Sequence, residues 1–407
     1  MPRILDFPGR KDRQPRVAII HYWLVTMRGG ERVLERLLKL FPQADIYTHV
    51  YDPSAVSDVI RAATVRTTFI QRLPRATQRY KSYLPLMPFA LEELDLSGYD
   101  LVISSESGPA KGVLAPPDAT HICYCHSPMR YLWDHYQQYR ETAGMVGRAT
   151  MSTIFPGMRT WDMTSAQRLD HVFANSRFIQ SRVKRAWGRG SSVLHPPVPV
   201  ENYAPTNNVS GEYLWVGQMT AYKRPDIALD AFNRLGLPLL MVGDGEMLPE
   251  LRRRAMPNIR FARHLDYTSL RNAYAQAQAL IFTAEEDFGI VPVEANASGR
   301  PVIGFGKGGL LDTVVPDETG LYFTEQTPES LIEAVQGYQR WARHFDPMDA
   351  VRNARRFAPE VFDHGFLSKV AELRPDLPVR LPVMPDELPF PVSGGVQHVD
   401  EPALSYA

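Results

Sequence analysis

Short apolar, β-branched runs alternate with amphipathic stretches along this chain, the alternation breaks once, and then it starts again. This doubled rhythm restricts the fold more than any other feature. Residues 16–23 read as a strand and residues 30–40 as a helix. Residues 101–104, 121–125 and 171–174 read as further strands, with a helix over 176–186 opened by a Ser176 cap. The break is HPPVPVENYAPTNNVSG, residues 195–211, whose prolines and asparagines exclude it from a sheet and mark it as a linker. Beyond it, strands are expected at 213–216, 239–242, 259–261, 279–282 and 301–304, separated by helices such as 226–235 and 267–278. Such alternation builds parallel sheets covered on both faces, so the chain is expected to be α/β, with two doubly wound domains that bind ligands beyond the carboxyl ends of their strands. A length of 407 residues suits two domains of ordinary size.

Composition narrows the partners. Hydrophobic residues make up 44% and charged residues 22%, and 45 basic residues balance 45 acidic ones. No global field is available for nucleic acid, so any anionic ligand must be met locally. Cys123 and Cys125 alternate along one expected strand, where no disulfide framework can form, which fits a reducing, cytoplasmic setting. They share a strand face and lie near His121 and His126, but no second cysteine pair supplies a familiar zinc site, and no bound metal is expected. Neither a signal sequence nor a run of about 18 apolar residues is visible.

The strongest motif is Glu286-Asp-Phe288-Gly289-Ile290-Val-Pro292-Val-Glu294, directly after an apolar strand. Gly289 permits a tight turn, and Pro292 is tolerated in a first helical turn, where an N–H has no partner to lose. Unpaired N–H groups and the positive helix end then face the strand tips, an arrangement suited to a diphosphate or to sugar oxygens. One carboxylate precedes the turn and the other lies on the helix, so the two can touch different parts of one extended ligand. This block resembles the E-x7-E signature of glycosyltransferase family 4, and the similarity runs from about residue 17 to residue 373.

The resemblance implies the GT-B fold, two Rossmann-like domains facing across a cleft, and it assigns the site residue by residue. Glu286 is expected to hold donor-sugar hydroxyls and Glu294 the ribose diol, with Phe288, Gly289 and Ile290 lining the same turn. Gly217-Gln-Met-Thr-Ala-Tyr-Lys223-Arg224 matches the family's phosphate-binding turn. Gln218 stands where the family usually has arginine, so the second positive charge passes to Arg224 beside Lys223. Gly243 in Val242-Gly-Asp-Gly245 is placed by the nucleotide, and His264 and Leu265 by its base. Across the cleft, Arg28-Gly29-Gly30-Glu31 is expected to face the diphosphate. His126 in His126-Ser-Pro-Met-Arg130-Tyr-Leu-Trp133-Asp134 is expected near the donor sugar, as a catalytic residue together with Glu286. That last block resembles a subgroup of bacterial mannosyltransferases of exopolysaccharide and O-antigen synthesis. Because no D-x-D sequence occurs, the diphosphate is expected to be met by Lys223, Arg224 and backbone amides, with no metal or other cofactor.

Between residues 64 and 87, Arg66, Arg72, Arg75, Arg79 and Lys81 interleave with Phe69, Leu73, Tyr80, Tyr83 and Leu84, with no acid. Such a stretch can lie on an anionic membrane surface, each basic residue contributing about 1 kcal/mol near the headgroups. The ordinary alternative is a solvated basic face. The expected organisation is an acceptor-side domain over 15–200, a nucleotide-binding domain over 212–355, a helix crossing back over 356–373 and a disordered tail over 375–407. The expected activity is retaining transfer of mannose from GDP-mannose to a polyprenyl-diphosphate-linked oligosaccharide at the inner face of the cytoplasmic membrane, with no nucleic acid involved. Two alternatives stand beside it: another donor such as UDP-glucose, and a non-catalytic sugar-nucleotide-binding subunit. Front-face attack and double displacement both remain open as routes to retention.

Overall fold

The computed structural model describes residues 14–382. Its first sheet contains β1 (Val17–His21), β2 (Asp45–Thr48), β3 (Thr64–Thr67), β4 (Leu101–Glu106), β5 (Thr120–Cys125), β6 (His171–Ala174) and β7 (Ser192–Val193). Their spatial order is β3-β2-β1-β4-β5-β6-β7. The second sheet contains β8 (Tyr213–Val216), β9 (Leu239–Val242), β10 (Ile259–Ala262), β11 (Leu280–Phe282), β12 (Val302–Phe305) and β13 (Gly320–Phe323), in the order β10-β9-β8-β11-β12-β13. Every ladder in both sheets is parallel. This is the expected α/β architecture of two Rossmann-like domains. In each sheet the strand order reverses between the first and fourth strands, and the crevice at that switch point is where such sheets bind ligands.

The helices form where sequence periodicity meets a cap. The helix Gly29–Leu40 buries Val33, Leu34, Leu37 and Leu38, while the Glu31 carboxylate accepts the Arg28 N–H at 2.8 Å and closes its first turn. Ser176 caps the helix Arg177–Trp187 by accepting the Ile179 N–H at 3.1 Å, and Gly188 ends it at φ 66°. The last helix, Pro359–Leu373, returns to the first domain: Phe362, Phe366, Leu367 and Val370 share one apolar core with Val17, Ile19, Tyr124 and Phe173. Arg36 fixes it further through Asp363.

Four strands were not legible in the sequence: β2 (DIYT), β3 (TVRT), β7 (SV) and β13 (GLYF) each mix polar residues or glycine into a short run, whereas equally short strands that were read, such as Tyr213–Val216 and Leu239–Val242, are wholly apolar. The basic stretch 64–87 is accordingly not one helical face. It opens as the edge strand β3 and continues through the short helical turns Phe69–Arg72, Ala76–Arg79 and Tyr80–Leu86. Of the expected tail, residues 375–382 form no helix or strand, Arg374 donates to the Asp100 carbonyl at 2.6 Å, and Val379 packs on the first core. Residues 383–407, like residues 1–13, lie outside the described residues. Among the described residues no helix is long and apolar enough to cross a membrane.

Candidate active site

On the second sheet, β8 delivers the chain to Gly217, and the following turn carries Lys223 to the tip of β11. Thr283, just past β11, locks this arrangement: its Oγ1 donates to the Lys223 carbonyl at 2.8 Å and accepts the Trp215 indole N–H at 3.1 Å. Lys223 thereby meets Glu286 in an ion pair whose partners are both largely buried. Burial opposes the charge on Lys223, but the Glu286 carboxylate outweighs it and holds the ammonium above its ordinary pKa. The cation is therefore charged and, in this structure, already partnered.

Gly289 sits at φ 88° and opens the helix Ile290–Ala297, whose first N–H groups have no helical acceptor. One turn on, Glu294 is 8% exposed and accepts from the Tyr274 hydroxyl at 2.8 Å. Burial pushes its carboxyl up, while hydrogen bonds from Tyr274 and Tyr203 and the charge of Arg32 pull it back. Arg32 belongs to the first domain, so the cleft is crossed here. Gly29 makes the crossing explicit: a Cβ on it would stand 3.3 Å from Ile290 Cδ1. Close approach also governs Gly243, where a Cβ would fall 1.9 Å from the Gly217 carbonyl oxygen. That glycine pair lets the tips of β8 and β9 share one floor.

On the first sheet, the β1–β4 register sets His21 beside Ser105. Ser105 Oγ lies 3.0 Å from His21 Nδ1 and 2.9 Å from His126 Nε2, and His21 Nε2 lies 3.7 Å from Glu31 Oε1. A polar chain thus runs from the cap of the first helix, Glu31, through His21 and Ser105 to His126. Burial, with His21 adding to it, pushes the His126 pKa down to about 3, so the ring is neutral at ordinary pH. Neutral imidazole can accept or donate a hydrogen bond but brings no charge. Gly30 lies against the same group, since a Cβ there would meet the Tyr22 hydroxyl at 2.5 Å and His126 Nε2 at 3.7 Å.

Behind His126 lies a buried ionic cluster. Lys111, fully buried, pairs with Glu106 and Asp162, and Asp162 also accepts the indole N–H groups of Trp133 at 2.8 Å and Trp187 at 2.9 Å. Burial pushes the Glu106 carboxyl up to about 7. Because Glu106 accepts the N–H groups of Ala110 and Lys111 and Asp162 holds Trp133, the cluster pins the loops on either side of His126.

Two of the expected ligand-facing residues are otherwise engaged. The Phe288 side chain is 4% exposed and packs against His195 and edge-on against Phe357, with centroids 5.5 Å away in each case, so it anchors the turn from behind instead of lining it. Arg224, at φ 52°, directs its guanidinium to Asp226, with Nη2 to Oδ2 at 2.9 Å, so like Lys223 it already has a carboxylate partner in this structure. His264 is exposed after β10 and Leu265 is half-buried, next to Arg263, which ties back to Asp244 at 2.8 Å. His121, Cys123 and Cys125 are buried within β5. Sequence reasoning passed over His21, Ser105, Tyr203 and Tyr274, which reach the site from other elements and follow no local pattern, and Arg32, which lies just past Gly29 and Gly30 on the same helix.

Comparison with known proteins places these features. Residues 27–202 match the family model "Glycosyltransferase Family 4", and residues 211–338 match "Glycosyl transferases group 1". A Mycobacterium tuberculosis glycogen synthase is 31% identical over 155 residues, covering 35% of this chain and 36% of that protein. A GDP-mannose-dependent alpha-mannosyltransferase from the same species is 32% identical over 134 residues, covering 31% of this chain and 35% of the relative. The matched stretch thus spans little more than a third of either relative. Among solved structures, Anabaena HepE in complex with UDP and glucose superposes with a TM-score of 0.64 at 14% identity, over 88% of this chain and 100% of that one. At that identity the likeness speaks for the fold.

Proposed function

We propose that this chain, which carries the two domains of a GT-B glycosyltransferase of the family 4 type, is a retaining transferase that moves mannose from GDP-mannose to a lipid-linked oligosaccharide. One observation carries the transferase reading. At the switch point of the second sheet, a charged lysine, two carboxylates and an open helix N-terminus converge, and across a narrow cleft they face Gly29, Gly30 and a neutral histidine.

This arrangement can receive a sugar nucleotide without further parts. Lys223 and the N–H groups at Gly289 would take the diphosphate, whose charge grows as the glycosidic bond breaks, and no metal is needed for that role. In taking it, Lys223 exchanges Glu286 for phosphate oxygens and releases that carboxylate to the sugar hydroxyls. Glu294, held by Tyr274, would present its second oxygen to the ribose. His126, neutral and fixed through Ser105, would hydrogen-bond the sugar from the opposite wall. A closed cleft keeps water from the activated donor.

GDP-mannose is favoured by the SPMRYLWD block and by the partial similarity to the mannosyltransferase. Thermal unfolding with GDP-mannose, UDP-glucose, GDP and UDP tests this, in the wild type and in Glu294→Ala. A guanine-only shift that the mutation abolishes supports the donor and the site. A uridine-only shift replaces the donor, and no shift with any nucleotide overturns the catalytic reading. Release of nucleotide above blank then separates a transferase from a binding subunit.

The acceptor is proposed to be reached at the inner face of the cytoplasmic membrane. Arg66, Arg72, Arg75, Arg79 and Lys81 are all exposed, and Leu86 and Phe89, which follow them, are 40% and 65% exposed. Basic and apolar groups presented together suit an anionic bilayer. Flotation with anionic vesicles should lose the protein when Arg72, Arg75 and Arg79 become Glu, whereas undiminished flotation would sink the idea.

A further inference from the structure

Asp287 stands between two anchored neighbours. Glu286 is paired with Lys223, and Phe288 is buried in the second domain's core, so the backbone of residue 287 is fixed at the tip of the second sheet. Its carboxylate oxygens and its carbonyl go to the first domain. One carboxylate oxygen is paired with Arg130, the other accepts from Arg182 Nη1 at 3.0 Å, and the carbonyl accepts from the Ser176 hydroxyl. Arg182 is itself held by Asp134 and donates to Ser127 Oγ at 3.1 Å. One residue of the donor-side turn therefore gathers the 127–134 block and the start of the helix Arg177–Trp187.

These pairs are not loose surface contacts. The Asp287 and Arg182 side chains are 17% and 10% exposed. Burial would pull the Arg130 guanidinium down, yet Asp287 holds it above its ordinary pKa. A second contact lies along the same seam, where the Arg177 N–H donates to the buried Asp312 at 2.6 Å and the guanidinium of Arg177 pairs with the same carboxylate. The position of Asp287 is what gives the seam a chemical consequence: Glu286 precedes it by one residue, and His126 precedes Arg130 by four.

We propose that Asp287 is a positioning residue: through Arg130 and Arg182 it docks the Glu286 turn onto the block that carries His126, and so sets the spacing of those two groups across the closed cleft. This rests on the transferase reading for its catalytic consequence, but not for its structural one. An aspartate is required because both its oxygens accept from guanidinium groups. An asparagine of the same shape would turn an NH2 donor against one arginine and remove the charge that holds both.

The experiment places spin labels at Ser152→Cys and Glu325→Cys, exposed positions in the two domains, while buried Cys123 and Cys125 stay unlabelled. In the unliganded chain, Asp287→Asn should broaden and lengthen the interdomain distance distribution, and Arg130→Gln should do the same from the other side. Turnover of the sugar nucleotide should then fall about 10- to 100-fold, mainly in kcat, because the reacting groups lose their spacing. Asp287→Asn combined with Arg130→Gln should cost little more than Asp287→Asn alone. Unchanged distances, additive losses, or altered distances with undiminished kcat would each overturn the proposal. If the wild type turns over no sugar nucleotide, the transferase reading fails, while the distance measurement still decides whether Asp287 docks the domains.

Discussion

The two sheets share one strand order, yet their tips are built from different material. On the first sheet the tips carry linked side chains: Glu31, His21, Ser105 and the half-buried His126 in one chain, and the buried Glu106, Lys111 and Asp162 in a cluster behind it. On the second sheet the tips are mainly backbone, shaped by Gly217, Gly243 and Gly289, with the Lys223–Glu286 pair standing over them. Open N–H groups at a helix start accept an anionic group from any source of the right shape. A buried side-chain chain instead holds one group, His126, in one orientation. The difference teaches that the second sheet's tips offer open backbone donors, whereas the first sheet's tips hold a single oriented residue toward them; on the proposed reading, the former grip a phosphate.

If that contrast is right, damage to the first domain's cluster should appear as lost stability, and damage to the second domain's tips as lost ligand response. The largest effect is expected for Lys111→Met. It leaves Glu106 and Asp162 as buried acids without their cation and should cost about 3–5 kcal/mol by denaturant unfolding. A loss within experimental error would show that the cluster is incidental. Next comes Glu294→Ala, which should remove the roughly 2.7 kcal/mol that a nucleotide at about 100 times its dissociation constant adds to stability. The quantity to compare is the shift between free and liganded protein for each variant. Gly243→Ala, at φ 140° and crowded by the Gly217 carbonyl, should cost about 1–3 kcal/mol and weaken nucleotide binding at the same time. A variant that lost stability but bound normally would separate the floor from the site.

The smallest effect concerns pH, and its sign follows from the first domain. Burial pushes His49 and His171 down to about 4 and His121 and His126 down to about 3, so each takes up a proton when the chain unfolds below pH 6.5 and stability falls with pH there. Glu106, raised to about 7, acts in the opposite sense between pH 7 and 4.5, since the folded state holds the proton there and the unfolded state does not. The histidines outnumber Glu106, so on balance stability falls as pH drops from about 6.5 to 4.5, each unopposed proton contributing on the order of 1.4 kcal/mol per pH unit. Urea titrations across that range measure the slope. Glu106→Gln should steepen it, because the opposing proton is gone.

The half of the candidate site on the second sheet was readable because its parts are local. A strand, a glycine, a helix-opening proline and two carboxylates eight positions apart form one contiguous motif, and backbone geometry alone turns them toward the strand tips. Even there, a distant neighbour decided one residue, since Phe288 is drawn into the core by His195 and Phe357, and a local one another, since Arg224 pairs with Asp226 two residues on. The first half was far less legible. His126 could be picked out from its block, but His21, 105 residues earlier, and Ser105 reach it only because β1, β4 and β5 lie side by side with level tips.

By itself the sequence determined the alternation of strand and helix, the break between two domains and the motif at the start of one helix. All of these are written in local periods and turn residues, whose energies act between near neighbours in the chain. Only the tertiary structure decided which charges meet. The pairing of Asp287 with Arg130 and Arg182, of Lys111 with Asp162, and of His126 with His21 through Ser105 joins residues far apart in the chain. Such pairs have no period for a sequence to display, because they become favourable only when packing has expelled the water that would otherwise screen them.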